Sequence, residues 1–276
     1  MKRVLAFSLL LLALAGCSRG RPELHLPPEG ALLPSHHASG WIQVALPDGR
    51  PRTAWFDSGA TVSSVGQKEL DGLGLPSTGA CLPNPVVMFD HTEWFPRRVC
   101  FGSLSLGEAV IRGLDADVKR GSAQGLMIGE DVLALCACLL DWRKGESRLL
   151  PSEGLSGRLE ALYPGRRWTK LPFTRWCGLP IVSIPLEDGR EIGMLVDTGS
   201  DRTFFDSGTT KSLGLAEGSV QGIRIGGEER RTTVHCHEGG LFSVPAGILG
   251  MDQLGQTPFV LDGPGNTLWI ADKAKP

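Results

Sequence analysis

Apolar and polar positions alternate in short runs along most of the chain. Two pairs of runs flank an Asp-Gly turn: WIQVAL and RTAWF lie on either side of PDGR, and LPIVSIPL and EIGMLV lie on either side of EDGR. Asp-Gly between apolar runs is a strong hairpin signal, so each pair predicts a β-hairpin. The runs FGSLSLG and VQGIRIGG predict further strands, and short helices are expected after Gly129, after Gly250 and over residues 155–162. The pattern as a whole predicts an all-β protein.

The second half of the chain repeats the first. An offset of 140 residues places WIQVALPDGRPRTAWFDSGA over IVSIPLEDGREIGMLVDTGS without a gap, and it aligns Asp57 with Asp197. Further along, GLMIGEDVL matches GILGMDQL, which aligns Gly129 with Gly250. Self-similarity of this kind predicts two units of like architecture. The first unit holds about 19 more residues between its two motifs than the second.

Composition and charge narrow the class of protein. The chain contains 37 glycines and 19 prolines, which favours a turn-rich β protein over a helical bundle. The formal net charge is −2, and without a basic excess we expect no nucleic-acid partner.

The N-terminus has the pattern of an export signal. Lys2 and Arg3 precede the run VLAFSLLLLALAG, which is short for a transmembrane helix and predicts a signal peptide. The run ends in LAGC, which resembles the lipobox of bacterial lipoproteins. The resemblance implies cleavage before Cys17, lipid attachment there, and, with Ser18 next, a place in the cell envelope at the outer membrane, facing the periplasm. The alternative is an ordinary signal peptide that happens to contain a cysteine.

These signals divide the chain into five segments. The stretch after Cys17 is rich in proline and histidine and predicts a tether, and the stretch between the two repeats carries Pro, Gly and Ser at its ends. We therefore expect a signal peptide over 1–16, a tether over 17–39, a first unit over 40–150, a connector over 151–166 and a second unit over 167–276.

Export also bears on the cysteines. Six remain besides Cys17, and an even number in an oxidising compartment predicts disulfides, with fifteen possible pairings. Cys81–Cys100 would close a loop in the first half, and Cys177–Cys236 one in the second. The state of Cys136 and Cys138 stays open.

Three Asp-Ser/Thr-Gly triplets begin at Asp57, Asp197 and Asp206. The repeat makes Asp57 and Asp197 equivalent, whereas Asp206 aligns with Gly66 and is expected to be a turn or cap residue. Two carboxyl groups held close together cannot both ionise cheaply, so they share a proton. The ionised group can then activate a water while the protonated group donates to a carbonyl oxygen.

An apolar strand that runs into Asp-Ser/Thr-Gly and is followed by apolar-apolar-Gly resembles the aspartic proteases of the pepsin and retropepsin clan. The resemblance implies a two-lobed, pepsin-like fold in which each lobe is a small retropepsin-like β-barrel and the cleft lies between the lobes. It implies an aspartic endopeptidase with Asp57 and Asp197 as the catalytic pair, acting on a peptide or protein substrate. No metal and no other cofactor is expected, and the chain is expected to be a monomer.

The same resemblance gives roles to the neighbours of the two aspartates. Gly59 and Gly199 would let the loops turn tightly, and Ser58 and Thr198 would hydrogen-bond across the interface of the lobes. Ser200 could donate a hydrogen bond to its aspartate, whereas its counterpart, an alanine, cannot. From that difference we expect a less acidic pH optimum than for a dyad with hydroxyl groups at both positions.

The additional length of the first half falls on PVVMFDHTEWFPRRVCF, residues 85–101. In the family a β-hairpin in this place closes over the bound peptide, so Phe89 and Trp94 are candidate substrate contacts. Packing of Trp94 within its own loop is an equally good interpretation.

Other interpretations remain at this stage. The same fold could bind a peptide or a cell-wall fragment without cleaving it, or the two lobes could pair with those of a second chain. The run His235-Cys236-His237 offers at most two imidazoles on one face of a strand, which is too few for a tetrahedral metal site.

Overall fold

The computed structural model describes residues 20–33, 41–71, 73–75, 84–87, 92–95, 97–119, 125–237 and 245–273. The predicted signal peptide, Cys17, and Phe89 lie outside these residues. No helix in the described ranges combines the length and the apolar character needed to cross a bilayer.

The fold is mostly β, as the alternating pattern predicts. In the first half the strands are β1 Glu23–His25, β2 Ala31–Leu33, β3 Trp41–Ala45, β4 Pro51–Phe56, β5 Ser64–Gly66, β6 Asn84–Val87, β7 Thr92–Phe95, β8 Arg98–Leu106, β9 Ala109–Lys119, β10 Leu126–Ile128, β11 Ala137–Asp141 and β12 Glu146–Leu150. In the second half they are β13 Trp168–Trp176, β14 Leu179–Pro185, β15 Glu191–Val196, β16 Phe204–Asp206, β17 Val220–Ile225, β18 Glu228–Thr233, β19 Cys236–His237, β20 Gly247–Leu249, β21 Phe259–Asp262 and β22 Thr267–Ala271. The helices are α1 Gln67–Leu70, α2 Glu130–Leu133, α3 Leu155–Leu162, α4 Ser207–Leu213 and α5 Met251–Leu254.

Both Asp-Gly hairpins are present, β3–β4 and β14–β15. Their turns are alike, because Gly49 and Gly189 both have a positive φ, 73° and 82°, that suits glycine. The Asp48 and Asp188 carboxylates each accept a hydrogen bond from the backbone N–H two residues on. The predicted helices after Gly129, after Gly250 and over 155–162 are present as well.

The first half forms a closed barrel of six strands in the order β9-β5-β10-β4-β3-β8, and the β8–β9 hairpin closes it. Its interior is filled by side chains with almost no exposure, among them Ile42, Phe101, Ile111, Leu114 and Ile128. Burial of these aliphatic and aromatic groups supplies most of the free energy that holds the barrel together.

The second half repeats these pairings in part. β15 runs parallel to β20, β20 antiparallel to β16, and β16 parallel to β19, in the way that β4, β10, β5 and β9 pair in the first half. The difference lies in the counterpart of β9, which is divided into β18 and β19 around Val234. The β17–β18 hairpin is consequently a separate sheet, and an isolated bridge between Leu186 and Ile223 connects it to the strand before the turn.

One sheet of eleven strands joins the two halves. Six of its strands run in the order β13-β22-β21-β11-β12-β2, so that the last hairpin of each half pairs with the other along β11–β21, and β13 continues into β14 of the second half. A second small core covers one face of this sheet, where Leu155 and Leu159 of α3 pack with Leu139, Tyr163 and Trp269. The predicted connector over 151–166 therefore contains a packed helix.

The tether prediction is wrong for part of its length. Within the stretch 17–39, β1 pairs with β9 of the barrel and β2 pairs with β12 of the joining sheet. Ala31 and Leu33 of β2 are fully or almost fully buried. Three-residue strands are too short to show an alternation in the sequence, so only the long-range pairing reveals them.

Cys177 and Cys236, which the sequence allowed as a pair, are not joined by a disulfide. Cys100 carries a free thiol, and Cys81, its possible partner, lies outside the described residues. Cys136 and Cys138 are buried in the core, and burial raises the pKa of the Cys136 thiol to about 12.

Candidate active site

The structure brings Asp57 and Asp197 together. Each aspartate directly follows an inner strand, β4 or β15, and its backbone N–H donates to the last carbonyl of the neighbouring parallel strand: Asp57 to Ile128, Asp197 to Leu249. The two strand ends therefore present their carboxyl groups from opposite halves of the chain into one site. The two carboxyl groups are in hydrogen-bonding contact with each other.

Ser58 and Thr198 join the two loops by a reciprocal set of hydrogen bonds. The Ser58 N–H donates to Thr198 Oγ1 and the Thr198 N–H donates to Ser58 Oγ, both at 3.1 Å. The Ser58 hydroxyl donates to the carbonyl of Val196, and the Thr198 hydroxyl donates to that of Phe56, both at 2.8 Å. Since all four bonds cross between the halves, they fix the separation of the two aspartates.

Each loop glycine lies against the aspartate of the opposite half. A Cβ atom on Gly59 would sit 2.5 Å from the Asp197 Cγ, and one on Gly199 would sit 2.6 Å from the Asp57 Cγ. No side chain fits at either position. Glycine is needed here because of this close approach across the interface, in addition to the tight turn expected from the sequence.

The environment keeps one proton on the pair. Burial raises the pKa of Asp57, although the Lys119 ammonium and the N–H groups of Gly59 and Ala60 oppose the shift. Burial, together with the charge of Asp57, raises the pKa of Asp197 to about 8. Because two adjacent carboxyl groups cannot both ionise cheaply, Asp197 is the one that keeps its proton.

The role expected of the Ser200 hydroxyl is wrong. Its oxygen donates to the carbonyl of Arg202 at 2.8 Å, and it is the backbone N–H of Ser200 that donates to Asp197, at 3.1 Å. The N–H of Ala60 donates to the backbone carbonyl of Asp57 at 3.2 Å and also helps to lower the pKa of the Asp57 carboxyl. Because backbone groups do this in both loops, an alanine in one and a serine in the other make little difference.

The asymmetry of the dyad comes instead from Lys119, which sequence reasoning missed. This residue ends β9, where it pairs with Gly66, and its ammonium lies 3.5 Å from the Met127 sulfur and 5.7 Å from the centre of the Trp55 ring. The strand register makes His237, beside Asp206, the corresponding position of the second half. Alignment of the triplets alone does not show that Lys119 and His237 correspond, because these residues lie at different sequence distances from Asp57 and Asp197.

The apolar-apolar-Gly segments support the two loops that carry the aspartates. The N–H groups after the two glycines donate to Ala60 and Ser200 carbonyls, both at 2.8 Å. Behind each glycine lies a hydroxyl–carboxylate pair at 2.7 Å, Ser63 with Asp131 in the first half and Thr203 with Asp252 in the second. The hydroxyl oxygen in turn accepts the glycine N–H.

A buried ion pair under the first loop has no counterpart in the second. Glu130, whose side chain is 3% exposed, lies 2.6 Å from Arg175 of β13. Burial raises the pKa of Glu130 to about 7, against the opposing effect of Arg175. The equivalent position of the second half is Met251, so neither the repeat nor the family motif indicates this pair.

A cavity of about 590 Å³ opens beside the second loop, lined by residues 198–201 and by three tryptophans, Trp41, Trp55 and Trp142. Trp41 and Trp55 stack edge to face, with their ring centres 4.9 Å apart. The cavity therefore borders the dyad, since Gly199 lines the cavity and also faces the Asp57 carboxyl.

Two further residues singled out in the sequence, Asp206 and Trp94, have no contact with the dyad among the described interactions. Asp206 caps α4 by accepting a hydrogen bond from the Thr209 N–H at 3.0 Å, as expected for a bystander. Trp94 lies in β7, which pairs with β6 as a separate hairpin. This hairpin falls in the region where the family has a hairpin that closes over the bound peptide. In the described part of the chain, no three His, Cys, Asp or Glu side chains are grouped so as to hold a metal ion.

Comparison with known proteins adds no identification. Neither a scan against protein-family models nor a search of curated proteins gives a match. The function has to be inferred from the geometry around the two aspartates.

Proposed function

We propose that this chain is an aspartic endopeptidase that hydrolyses peptide bonds with a water activated by Asp57 and Asp197. The observation that carries the proposal is the contact between the two carboxyl groups. Two half-buried carboxyls held together are costly for stability, because at most one of them can ionise cheaply. The Ser58–Thr198 bonds and the paired glycines maintain this costly arrangement, as expected where the arrangement serves chemistry.

The surroundings assign a role to each aspartate. Lys119 favours the ionised form of Asp57, and the raised pKa of Asp197 favours its protonated form. Asp57 is then the base that takes a proton from the attacking water, while Asp197 gives its proton to the carbonyl oxygen of the substrate. The resulting diol collapses when Asp57 gives its proton to the amide nitrogen and the carbon–nitrogen bond breaks. Asp197 takes a proton from a hydroxyl of the diol as the new carbonyl forms, which restores the singly protonated dyad.

The proposal extends to the arrangement of the chain. A two-lobed, pepsin-like fold is supported by the repeated parallel pairings β4–β10 and β15–β20 and by the joining sheet between the halves. A cleft between the lobes, covered by the β6–β7 hairpin, would admit an extended peptide. Both aspartates come from one chain, so a monomer suffices for activity.

The location of the protein is proposed from the sequence. A lipid on Cys17 would anchor the enzyme in the cell envelope, at the outer membrane, and the enzyme would act in the periplasm. Incorporation of a labelled fatty acid into the full chain, lost in Cys17→Ser, would support this. An unlabelled wild-type chain would leave a plain signal peptide as the better reading.

The experiment that tests the function compares the full chain with its Asp57→Asn and Asp197→Asn variants. Each is incubated with a diverse peptide mixture from pH 3 to 9, and cleavage is read by mass spectrometry. The proposal expects cleavage by the wild type and a loss of more than about 100-fold in both variants. Binding of peptides without cleavage would replace it with the binding-protein alternative. Equal cleavage by all three proteins would point to a contaminating protease.

A further inference from the structure

The cavity beside the second loop has an unusual combination of walls. Three tryptophans, Trp41, Trp55 and Trp142, line it together with two aspartates, Asp201 and Asp252. All three tryptophans keep part of their surface exposed, and Trp41 is 38% exposed. An aromatic surface of this size beside a catalytic pair is available to a ligand.

Indole rings attract cations as well as apolar groups. The face of an indole carries negative charge density, and tryptophan is the best aromatic partner for an ammonium or guanidinium group. This site already shows the effect, because the Lys119 ammonium lies over the Trp55 ring, 5.7 Å from its centre.

The charges around the cavity favour a cation too. Asp252 accepts hydrogen bonds from Thr203 and Gln253, both uncharged, so its negative charge is not neutralised by them. Asp201 is exposed at the rim. Neither lysine nor arginine is among the described residues that line the cavity. The charged side chains that line the cavity are therefore both carboxylates, and the charge shared by the dyad lies across Gly199 from them.

We propose that this cavity binds a positively charged side chain, arginine or lysine, of the peptide that the dyad cleaves. The inference rests on the proposed function and specifies its substrate class. An extended basic side chain would lay its apolar stem along the indole rings and place its charged end beside Asp201 and Asp252. Gly199, shared by the cavity and the dyad, would bring the peptide backbone next to the reacting groups.

A pair of peptides that differ in charge alone tests this inference. N-acetylated, amidated pentapeptides of alanine with a central arginine or a central citrulline have nearly the same shape, but only arginine is cationic. Each is titrated against the full chain carrying Asp197→Asn, with tryptophan fluorescence as the readout. Since Asp197 holds the proton in the proposed mechanism, asparagine there prevents turnover and leaves the charge of the site unchanged.

We expect the arginine peptide to bind about tenfold more tightly than the citrulline peptide, a difference typical of a cation held by aromatic rings and a carboxylate. Asp201→Asn should reduce that preference about threefold. Trp41→Leu should weaken the arginine peptide about fivefold. Glu153→Gln, which removes an exposed charge in the segment between the halves, is the matched control and should change neither value.

Three results would overturn the inference. Equal affinity for the two peptides would mean that charge is not recognised, and a lack of binding by either would mean that the cavity is not a peptide site. Tighter binding of a glutamate peptide would assign specificity to Lys119 instead. Because binding is measured without turnover, these results are separate from the cleavage experiment: a wild type that cuts peptides without a charge preference overturns this inference alone.

Discussion

Leu139 of β11 pairs directly with Val260 of β21, and each of these residues is also the counterpart of the other in the repeat. An approximate two-fold axis therefore passes through this pair at the centre of the joining sheet. The two halves approach the axis with the same strands, and so they deliver equivalent loops to one place. Features that occur twice, such as the reciprocal serine and threonine bonds, follow from this relationship. Features that occur once, such as Lys119, distinguish the two aspartates.

The first prediction concerns the glycines that face the opposite carboxyl groups. In Gly59→Ala the new methyl group would overlap the Asp197 carboxyl, so the loops must separate or Asp197 must turn away. A displacement of about 1 Å in such a site lowers catalysis about 100-fold. We therefore expect Gly59→Ala to lose at least that much kcat/KM, measured on a peptide found by the mixture experiment.

The control for this substitution is Gly157→Ala in α3, where a Cβ atom meets no heavy atom within 4 Å. An alanine in a helix costs nothing and often stabilises. Activity in Gly157→Ala should equal that of the wild type. If Gly59→Ala retained full activity, the close approach of the two loops would not be required for catalysis.

The sequence was sufficient to predict the twofold part of this site. The triplets at Asp57 and Asp197 share the offset that also aligns the Asp48 and Asp188 turns, and that coincidence separates the pair from Asp206. The hairpins could be predicted because Asp-Gly turns have a local conformational cause. Lys119 could not, because its place beside Asp57 depends on how β9 pairs with β5, which no local pattern records.

The second prediction concerns the hydrogen bonds between the loops. Ser58→Ala leaves the Val196 carbonyl and the Thr198 N–H without the partners they have in the wild type. Each buried polar group without a partner costs about 1–3 kcal/mol, so we expect the free energy of unfolding to fall by about 2–4 kcal/mol. Urea denaturation measures it.

Ser64→Ala is the control, since this buried serine donates to the Met127 sulfur at 3.8 Å, a weak bond. Its loss should cost less than about 1 kcal/mol. A double substitution, Ser58→Ala with Thr198→Val, removes all four bonds, because each single change removes a different pair. It should cost less than the sum of the two single changes, because loops that one change has already loosened hold the other pair less firmly. Simple additivity would mean that the two pairs of bonds act independently.

The third prediction concerns the pH dependence of stability. The folded-state pKa of Asp197 is raised, so the folded chain binds this proton more tightly than the unfolded chain does. Stability is therefore lost as pH rises from about 4 towards 8, the window between the unfolded and folded pKa values. Asp197→Asn removes this loss and should be more stable than the wild type at pH 8, but not at pH 3.

One pKa unit corresponds to about 1.4 kcal/mol, but solvent in the partly exposed cleft screens much of the shift. We therefore expect the free energy of unfolding of Asp197→Asn to exceed that of the wild type by about 1–2 kcal/mol at pH 8. Thermal unfolding at both pH values measures it. Asp206→Asn makes the same change in the third triplet and is the matched control. A difference that is the same at pH 3 and pH 8 would show that the proton on Asp197 is not its cause.

The fourth prediction concerns the ion pair that occurs in the first half alone. Arg175→Met leaves the Glu130 carboxyl buried without its cation, and one of its oxygens already has no hydrogen-bond partner. Breaking a buried pair from one side typically costs about 3–5 kcal/mol. The folded-state pKa of Glu130 rises further in this variant, so the loss should be largest above pH 7 and smaller at pH 5, where the carboxyl is protonated.

The second half of the chain suggests a second substitution that should restore the stability lost in Arg175→Met. Its equivalent position is Met251, which packs in the core without a charged partner. Adding Glu130→Met to Arg175→Met should therefore restore most of the lost stability, because an apolar pair replaces an unpaired charge. A double variant as unstable as Arg175→Met would mean that Arg175 stabilises the fold through its bonds to Gly178 and Gly263.

The fifth prediction concerns Lys119 and the acidic limb of the pH–rate profile. The ammonium favours the ionised form of Asp57, so Lys119→Met should raise the pKa of that carboxyl further above its ordinary value. Activity requires one ionised carboxyl, so the acidic limb should move to higher pH, whereas the limb governed by loss of the second proton should move less. Profiles of kcat/KM report these ionisations in the free enzyme.

Two controls accompany this variant. Lys170→Met removes an ammonium that lies over Trp269 in the joining sheet and should leave both limbs in place. Ala60→Ser should leave them in place too, because the Ser200 hydroxyl bonds to Arg202 and not to its aspartate. A profile that shifts in Ala60→Ser but not in Lys119→Met would mean that the loop hydroxyl, and not Lys119, makes the two aspartates differ.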